Sequence, residues 1–508
     1  MHDYLLAHDL GTSGDKAVLF NAVTLEIVSS VVYPYETYYE EHGGVEHDSE
    51  AWWKAVCAST QELLAATGVK AEQIGAVSFS AIMNSCLPVA ADGAPLRRAL
   101  IWCDQRSEEE LKEIREFASD DDFYHKTGHK LNATYAVAKM LWYKNNQPSL
   151  YEKTAYFLQA KDYIVYKLTG KFATDYSDMS HLGVMDQRKK ALWPELMKQI
   201  GIPQSMFPEV HKSTDVIGWI SEKAAREVGL LAGTPVVMGG GDGCCASAGA
   251  GIYQPGRAYN ILGTSSWNAT LTDDMMMSPK KETMSFIHLD GQHFTALGTM
   301  QSAGHSLNWL LKLMQPNFYA QDKDVLYPWL NKTIERMIAQ SKMRNIIYLP
   351  YLLGERSPWW NSNARGCFIG MDASTEQSDL ALACLEGVAY NLKVILDDME
   401  DNLGELGMRV IGGGVRNKQW IRILASVWNK QLQIPKYCVE ATSLGAIMCA
   451  GIGTGLFKDF SAIEQINPVR QCINPEPALV QRYAKLYPVF KQAYYSLVET
   501  FDSLSALN

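Results

Sequence analysis

A stretch near the N-terminus, Leu10-Gly11-Thr12-Ser13-Gly14-Asp15-Lys16-Ala17-Val18-Leu19, recurs 252 positions later as Leu262-Gly263-Thr264-Ser265-Ser266-Trp267-Asn268-Ala269-Thr270-Leu271, with six of ten residues identical in place. The chain has 508 residues, so the offset is close to half of it and predicts two related domains, 1–250 and 251–508. An apolar segment enters each copy, Tyr4-Leu5-Leu6-Ala7 and Arg257-Ala258-Tyr259-Asn260-Ile261, and each copy runs on into alternating residues. Both therefore read as strand–turn–strand elements with a small, donor-rich tip. Glycine lets the backbone approach a ligand, while Thr and Ser hydroxyls and neighbouring amides donate to phosphate oxygens. One such turn is an ordinary hairpin; two, one per half, predict tips that face each other across a cleft with a polyphosphate between them. The copies differ at one telling position. Asp9 ends the first strand where Ile261 ends the second, so one half alone offers a carboxylate, and a carboxylate beside phosphates usually serves Mg²⁺.

The charge balance bears on what else the chain binds. Its net charge is −10, with no run of Lys or Arg, which argues against nucleic acid and anionic membrane as partners. A nucleotide must then be held locally, by amides, hydroxyls and metal. The ten cysteines are scattered, and the one close pair, Cys244-Cys245, is adjacent in sequence, where an ordinary disulfide is geometrically disfavoured. There is no Cys-x-x-Cys and no His-Glu-x-x-His for zinc. No basic and apolar leader opens the chain, and Leu444 to Phe457 is too short and glycine-rich to span a bilayer. The expectation is a soluble, cytoplasmic protein with a small-molecule substrate; a homodimer is one assembly the sequence leaves open.

Several strand ends carry polar residues, and strand ends are where open α/β sheets bind ligands. Ile74 to Ser80 reads as a buried strand delivering Ala81-Ile82-Met83-Asn84-Ser85, and Ala99 to Trp102 as another, emptying into Cys103-Asp104-Gln105-Arg106. Asn84 and Gln105 are candidate substrate contacts. Asp104 reads either as a substrate contact or as half of a loop ion pair with Arg106. Between them, Ala51 begins a helix to about Ala66, with Asp48 or Ser49 as its cap, and roughly 131 to 199 is mostly helical. Thr234 to Met238 makes a strand that ends in Gly239-Gly240-Gly241-Asp242-Gly243, before a helix of small residues from Cys244 to Ala250. Asp242 is thus either a helix N-cap or a reacting carboxylate for which three glycines clear space, and an N-cap needs no such clearance. In the second half, Leu297 to Trp309 is a turn entering a helix, Ile346 to Tyr351 a strand, and Asp379 to about Met399 a long helix. Arg409-Val410-Ile411-Gly412-Gly413-Gly414-Val415-Arg416-Asn417 repeats strand, glycine triplet and helix without an acid, which suits a flat neutral group such as adenine.

These segments, in this order, resemble the motif series of the FGGY carbohydrate kinases. The likeness rests on Asp9 to Ser13, Gly240 to Gly243, Leu262 to Ser265, Leu349-Pro350-Tyr351 with Gly354-Glu355-Arg356-Ser357-Pro358, and Gly412 to Asn417 with Trp420. Lys161-Asp162-Tyr163 through Leu168-Thr169-Gly170 and Thr174-Asp175 is similar to the pentulose-kinase branch in particular, closest to xylulose kinases. The resemblance implies an α/β fold of two actin-like (ribonuclease H-like) domains around a central cleft that closes on ATP and a sugar. It also implies Asp242 as catalytic base, Asp9 and Asp242 near Mg²⁺, and Thr12, Ser13, Gly263 and Thr264 at the phosphates. Gly304, Gly413, Gly414 and Asn417 would surround the nucleotide, and Met83, Asn84, Ser85, Asp104, Asp242 and Gly243 the sugar. The implied reaction moves the γ-phosphoryl of MgATP to a primary hydroxyl, with a ketopentose such as D-xylulose as acceptor.

Two departures bear on the acceptor. Xylulose kinases usually have Met-His-Gly, and gluconate kinases often Met-His-Ser, where this chain has Met83-Asn84-Ser85; xylulose kinases also tend to have Gly-Asp-Asn where it has Asp242-Gly243. The loop Trp359 to Gly366 leans to the gluconate-kinase pattern. A gluconate or other polyol kinase is the alternative within the family. A non-catalytic actin-type ATPase is the alternative from another class. A dinucleotide dehydrogenase is disfavoured, because Gly239-Gly240-Gly241-Asp242 breaks the Gly-x-Gly-x-x-Gly spacing.

Overall fold

The structure is a computed structural model that describes residues 3–314 and 323–507. The internal repeat appears in it as two sheets of one design. In the first half the strand order is Glu26–Pro34, Gly14–Asn21, Tyr4–Leu10, Ile74–Ala81, Pro235–Val237, Val216–Trp219, with the short Gly240–Gly241 also paired to Ile74–Ala81. In the second half it is Met284–Ile287, Phe294–Met300, Ser266–Thr272, Ala258–Leu262, Met408–Ile411, Leu432–Pro435, Val469–Ile473. From the third strand of each meander outward the directions match: two antiparallel pairings, two parallel ones, then an antiparallel edge. This is the expected pair of actin-like domains.

Each repeated stretch closes a hairpin. Tyr4–Leu10 pairs antiparallel with Gly14–Asn21, and Ala258–Leu262 with Ser266–Thr272. The central strands are buried on both faces, Leu5, Leu6, Ala7 and Leu10 being fully enclosed, as expected of strands with helices on either side. The helix Ser49–Thr67 covers one face of the first sheet, with Asp48 capping it by accepting from the Glu50 amide at 3.0 Å. Gln377–Met399 and Lys418–Trp428 form the main core of the second half. The stretch 131–199 contains helices, among them Ala136–Asn146, Ala160–Thr169 and Tyr176–His181, separated by short strands.

Between the two sheets lie two helices made of small residues, Asp242–Gly249 and Ala441–Gly453. They cross with their backbones in contact: a Cβ on Gly249 would lie 1.8 Å from the Ala441 carbonyl oxygen, and one on Gly445 2.1 Å from that of Cys245. The second helix belongs by sequence to the C-terminal half yet packs on Tyr4–Leu10 and Ile74–Ala81 of the first. One hydrophobic core therefore includes Leu5, Ala76, Cys245, Tyr259, Ile411 and Leu444, drawn from both halves. The two domains are joined at this crossing and through a second core in which Met275, Ile287 and Phe294 pack with Phe123, Tyr135 and Met179 of the first half.

Candidate active site

A cleft of about 560 Å³ opens between the halves and is lined by Thr12, Asp242, Gly243, Thr264, Ser265, Met83 and Asn84. Both repeated tips thus face one cavity, with Asp242 on its wall. The tip of the first half is held from behind: the Thr37 hydroxyl donates to the Thr12 carbonyl at 3.0 Å, and the Ile82 amide to the Leu10 carbonyl at 2.9 Å. The Trp102 indole N–H donates to Thr12 Oγ1 at 3.1 Å, which leaves the Thr12 hydroxyl proton for a ligand. Ser13 is exposed beside it. The second tip is pinned to the start of the helix Gly304–Met314, since the Gly304 amide donates to the Gly263 carbonyl at 2.9 Å and the Ala303 and His305 amides to that of Thr264 at 3.0 Å.

Asp242 is not an N-cap. Gly241 occupies that position, and Asp242 is the first residue of the helix, its Oδ1 accepting from the Gly243 amide at 2.8 Å. Half-buried, its carboxyl is pushed up to about 7 by burial and then by the charge of Asp9. The preceding turn can be made only by glycine: Gly239 has φ +69°, and a Cβ there would lie 1.9 Å from the Phe79 carbonyl oxygen. Asp9, next to last in the strand Tyr4–Leu10, accepts from the Ser80 hydroxyl at 2.9 Å and lies 3.6 Å from Lys16 Nζ. Burial holds its carboxyl above the ordinary value, against the opposing pull of Lys16.

The charge of Asp9 raises the proton affinity of Asp242, and a cation beside both would offset that repulsion. Among the described residues no group of three or more His, Cys, Asp or Glu side chains could hold a metal by itself. That fits Mg²⁺, which takes one or two carboxylates and fills its remaining positions with phosphate oxygens and water.

The nucleotide candidates differ in the space around them. A Cβ on Gly413 would meet nothing within 4 Å, whereas one on Gly414 would lie 2.4 Å from the Leu262 side chain, so Gly414 seats the triplet against the second hairpin. Asn417 caps Lys418–Trp428, its Oδ1 accepting from the Trp420 amide at 3.0 Å, while its Nδ2 is a buried donor with no partner among the described residues.

On the acceptor side Asn84 has φ +59°, in the left-handed region that Asn tolerates better than most residues. Its carbonyl and that of Ile101 accept from the buried Lys139 Nζ at 2.7 and 2.6 Å. One lysine thereby staples the two strand-end loops together, and burial pushes its ammonium down to about 8. Ser85 is fully buried and does not reach the cavity. Nor does Asp104: its carboxylate accepts from the Val45 amide at 2.7 Å and pairs with Arg106 at 2.7 Å, so the structure favours the loop ion pair over the substrate contact. Gln105 is also absent from the cavity wall.

Sequence reasoning missed much of the wall. Trp102, Tyr135, Trp267, Phe286 and Trp360 line it with aromatic rings, and His181 adds an imidazole whose Nδ1 has no partner among the described residues and which burial keeps neutral. Arg356 also lines the cleft, its guanidinium 5.6 Å from the Trp102 ring. Arg356 belongs to a motif already recognised and Trp102 ends a strand already read, so both were in principle findable; Tyr135, His181 and Phe286 come from segments without a local signal.

Known proteins resemble the chain over nearly its whole length. Residues 4–249 match the N-terminal domain of the FGGY family of carbohydrate kinases, and residues 258–454 its C-terminal domain. The chain is 28% identical over 493 residues to a xylulose kinase of Bacillus subtilis, covering 97% of this chain and 96% of the relative. It is 25% identical over 499 residues to a gluconokinase of the same organism, covering 96% and 95%. Among solved structures, a gluconate kinase from Lactobacillus acidophilus superposes with a TM-score of 0.90 over 99% of both chains at 24% identity, a likeness of fold. With both family domains matched in order across most of its length, the chain belongs to the FGGY family of carbohydrate kinases, which use ATP with Mg²⁺.

Proposed function

We propose that this sugar kinase transfers the γ-phosphoryl group of ATP to a primary hydroxyl of a ketopentose such as D-xylulose, with residues 1–250 holding the sugar and 251–508 the nucleotide. The observation that carries the reading is the convergence of Thr12, Thr264 and Asp242 on one cleft. Bound Mg²⁺, held by Asp9 and Asp242, would neutralise phosphate charge. The chain's own residues do the rest. Thr12 and Thr264 with their tip amides orient the phosphates, and Asp242 accepts the proton of the attacking hydroxyl. Phosphoryl transfer of this kind passes through a loose transition state, so alignment matters more than early deprotonation. Positioning is worth roughly 7–11 kcal/mol, against about 10²–10⁴-fold for a base. The aromatic wall offers apolar faces to the sugar's C–H groups, while the Asn84 amide and His181 offer polar contacts. The ten cysteines are all free, which suits a cytoplasmic setting, and no described helix is long and apolar enough to cross a membrane.

A second reading of the acceptor has one observation in its favour. Arg356 faces the cleft with no carboxylate at bonding distance among the described residues, and burial lowers its pKa. An unpaired guanidinium in a dry site favours an anionic ligand, which points to an aldonic acid such as gluconate. The test is acceptor-dependent ADP release across D-xylulose, D- and L-ribulose, L-xylulose, D-gluconate, glycerol, erythritol and a blank. Strongest stimulation by a ketopentose upholds the first reading. If gluconate leads, and Arg356→Gln loses gluconate far more than ketopentose turnover, the second replaces it. No stimulation above the blank, with ATP still bound, favours a non-catalytic ATPase.

A further inference from the structure

Behind the loop that carries Asp242 lies an ion cluster shut off from solvent. Lys161 Nζ lies 2.9 Å from Asp162, 2.9 Å from Asp175 and 2.7 Å from Asp178, with all four side chains at most 1% exposed. Charges this dry persist only when paired and hydrogen-bonded. One ammonium cannot balance three carboxylates, and burial holds Asp162 and Asp178 above the ordinary carboxylate range. Asp175 goes the other way. Although burial opposes it, Lys161 and the hydroxyls of Ser177 and Ser213 hold its carboxyl below the ordinary value.

Its bonds lead to the catalytic loop by two arms. Asp175 Oδ2 accepts from the Ser177 hydroxyl at 2.6 Å and from the Ser213 hydroxyl at 2.7 Å. With its only proton committed to Asp175, Ser177 Oγ turns lone pairs outward and accepts the Gly241 amide at 3.0 Å. Ser213 in turn accepts the Gly239 amide on its carbonyl at 2.9 Å. Both ends of Gly239–Gly241 are therefore gripped from one carboxylate, and the segment has no side chains of its own with which to be held. The helix that Asp175 caps, Tyr176–His181, also brings His181 to the cleft, and its Ser180 hydroxyl accepts from the Ile287 amide of the second half at 3.1 Å.

We propose that Asp175, paired with Lys161 at 2.9 Å, is the positioning residue for Asp242, acting through Ser177 and Ser213 on the glycine segment; this rests on the reading of Asp242 as the base. Three glycines give the loop freedom that the base must not have, and the serine arms remove it together with the pairing of Gly240–Gly241 to Ile74–Ala81.

The test is Ser177→Ala, which deletes one oxygen and leaves the ion cluster intact, combined with Asp242→Asn. Ser177→Ala should lower kcat about tenfold with KM for ATP unchanged, and the same change in the Asp242→Asn background should cost less than twofold further. An equal loss in both backgrounds shows a merely structural role and overturns the inference. So does full activity of Ser177→Ala while Asp242→Asn is inactive, which leaves the base reading standing. Wild-type turnover of Asp242→Asn overturns the base reading itself, and the positioning role with it. Amide exchange of the 239–243 peptide needs no acceptor: it should rise at least tenfold in Ser177→Ala, and unchanged protection sinks the proposal.

Discussion

Asp242 combines two demands that conflict. Its raised carboxyl, near 7 against an ordinary 3.8, means that the folded chain holds a proton which the unfolded chain has released across that interval. Stability tied to this group is therefore greatest below the ordinary value and is lost as pH rises through about 7. Catalysis needs the opposite state, because only the carboxylate can accept the hydroxyl proton. Turnover should climb as pH rises through about 7 at low Mg²⁺, and saturating Mg²⁺ should move the midpoint down, since a neighbouring cation favours the ionised form. Asp242→Asn should lose at least about a hundredfold in kcat, keep ATP binding, and melt higher than the native chain at pH 8 but not at pH 4. A melting temperature at pH 8 equal to or below the native one would show that the carboxylate carries no such cost.

At the scale of elements, the crossing of Asp242–Gly249 with Ala441–Gly453 sets the relation between the halves. Helix propensity alone favours alanine over Gly445 by about 1 kcal/mol. Against that, the added Cβ would lie 2.1 Å from a backbone carbonyl that cannot rotate away, and overpacking of this kind costs about 1–3 kcal/mol or more. Gly445→Ala should therefore destabilise the chain in urea unfolding, whereas Gly413→Ala, with open space around it, should leave stability unchanged and raise KM for ATP. The crossing also shows where the sequence was legible and where it was not. The repeated hairpins, the Asp9/Ile261 difference and the glycine turn before Asp242 were readable because each is local: a few adjacent residues fix a turn or a strand end. The packing of Ala441–Gly453 on the opposite half was not, since small residues at helical spacing say that something comes close, but not what. The cleft wall was hidden for the same reason. Tyr135, His181 and Phe286 meet there only after chain segments far apart in sequence have folded together. Asp104 shows the reverse case, a polar strand-end residue that looked equally suited to substrate but whose charge is spent on Arg106 and the Val45 amide.

For the whole molecule, two tips facing one cleft make a mechanical demand. Water is also a hydroxyl and is present at far higher concentration than any sugar, so an open cleft with bound ATP and an ionised Asp242 would hydrolyse the nucleotide. The halves meet backbone to backbone at Gly249 and Gly445 and again where the Ser285 amide donates to the Gly128 carbonyl at 3.0 Å and the Ile287 amide to the Ser180 hydroxyl at 3.1 Å, while the tips at Thr12 and Thr264 face the cavity. Acceptor binding can narrow the cleft by bridging the aromatic wall of both halves and expelling water. A compact chain of this length has a radius of gyration of roughly 23 Å; acceptor together with a non-hydrolysable ATP analogue should reduce it by a few per cent in solution scattering, whereas the analogue alone should not. Trp102, Trp267 and Trp360 line the cleft, so their emission should shift to shorter wavelength in the same step as water leaves. If acceptor raises ADP release while neither the radius nor the emission changes, closure is not how this kinase excludes water, and the cleft must already be shut around ATP before the sugar arrives.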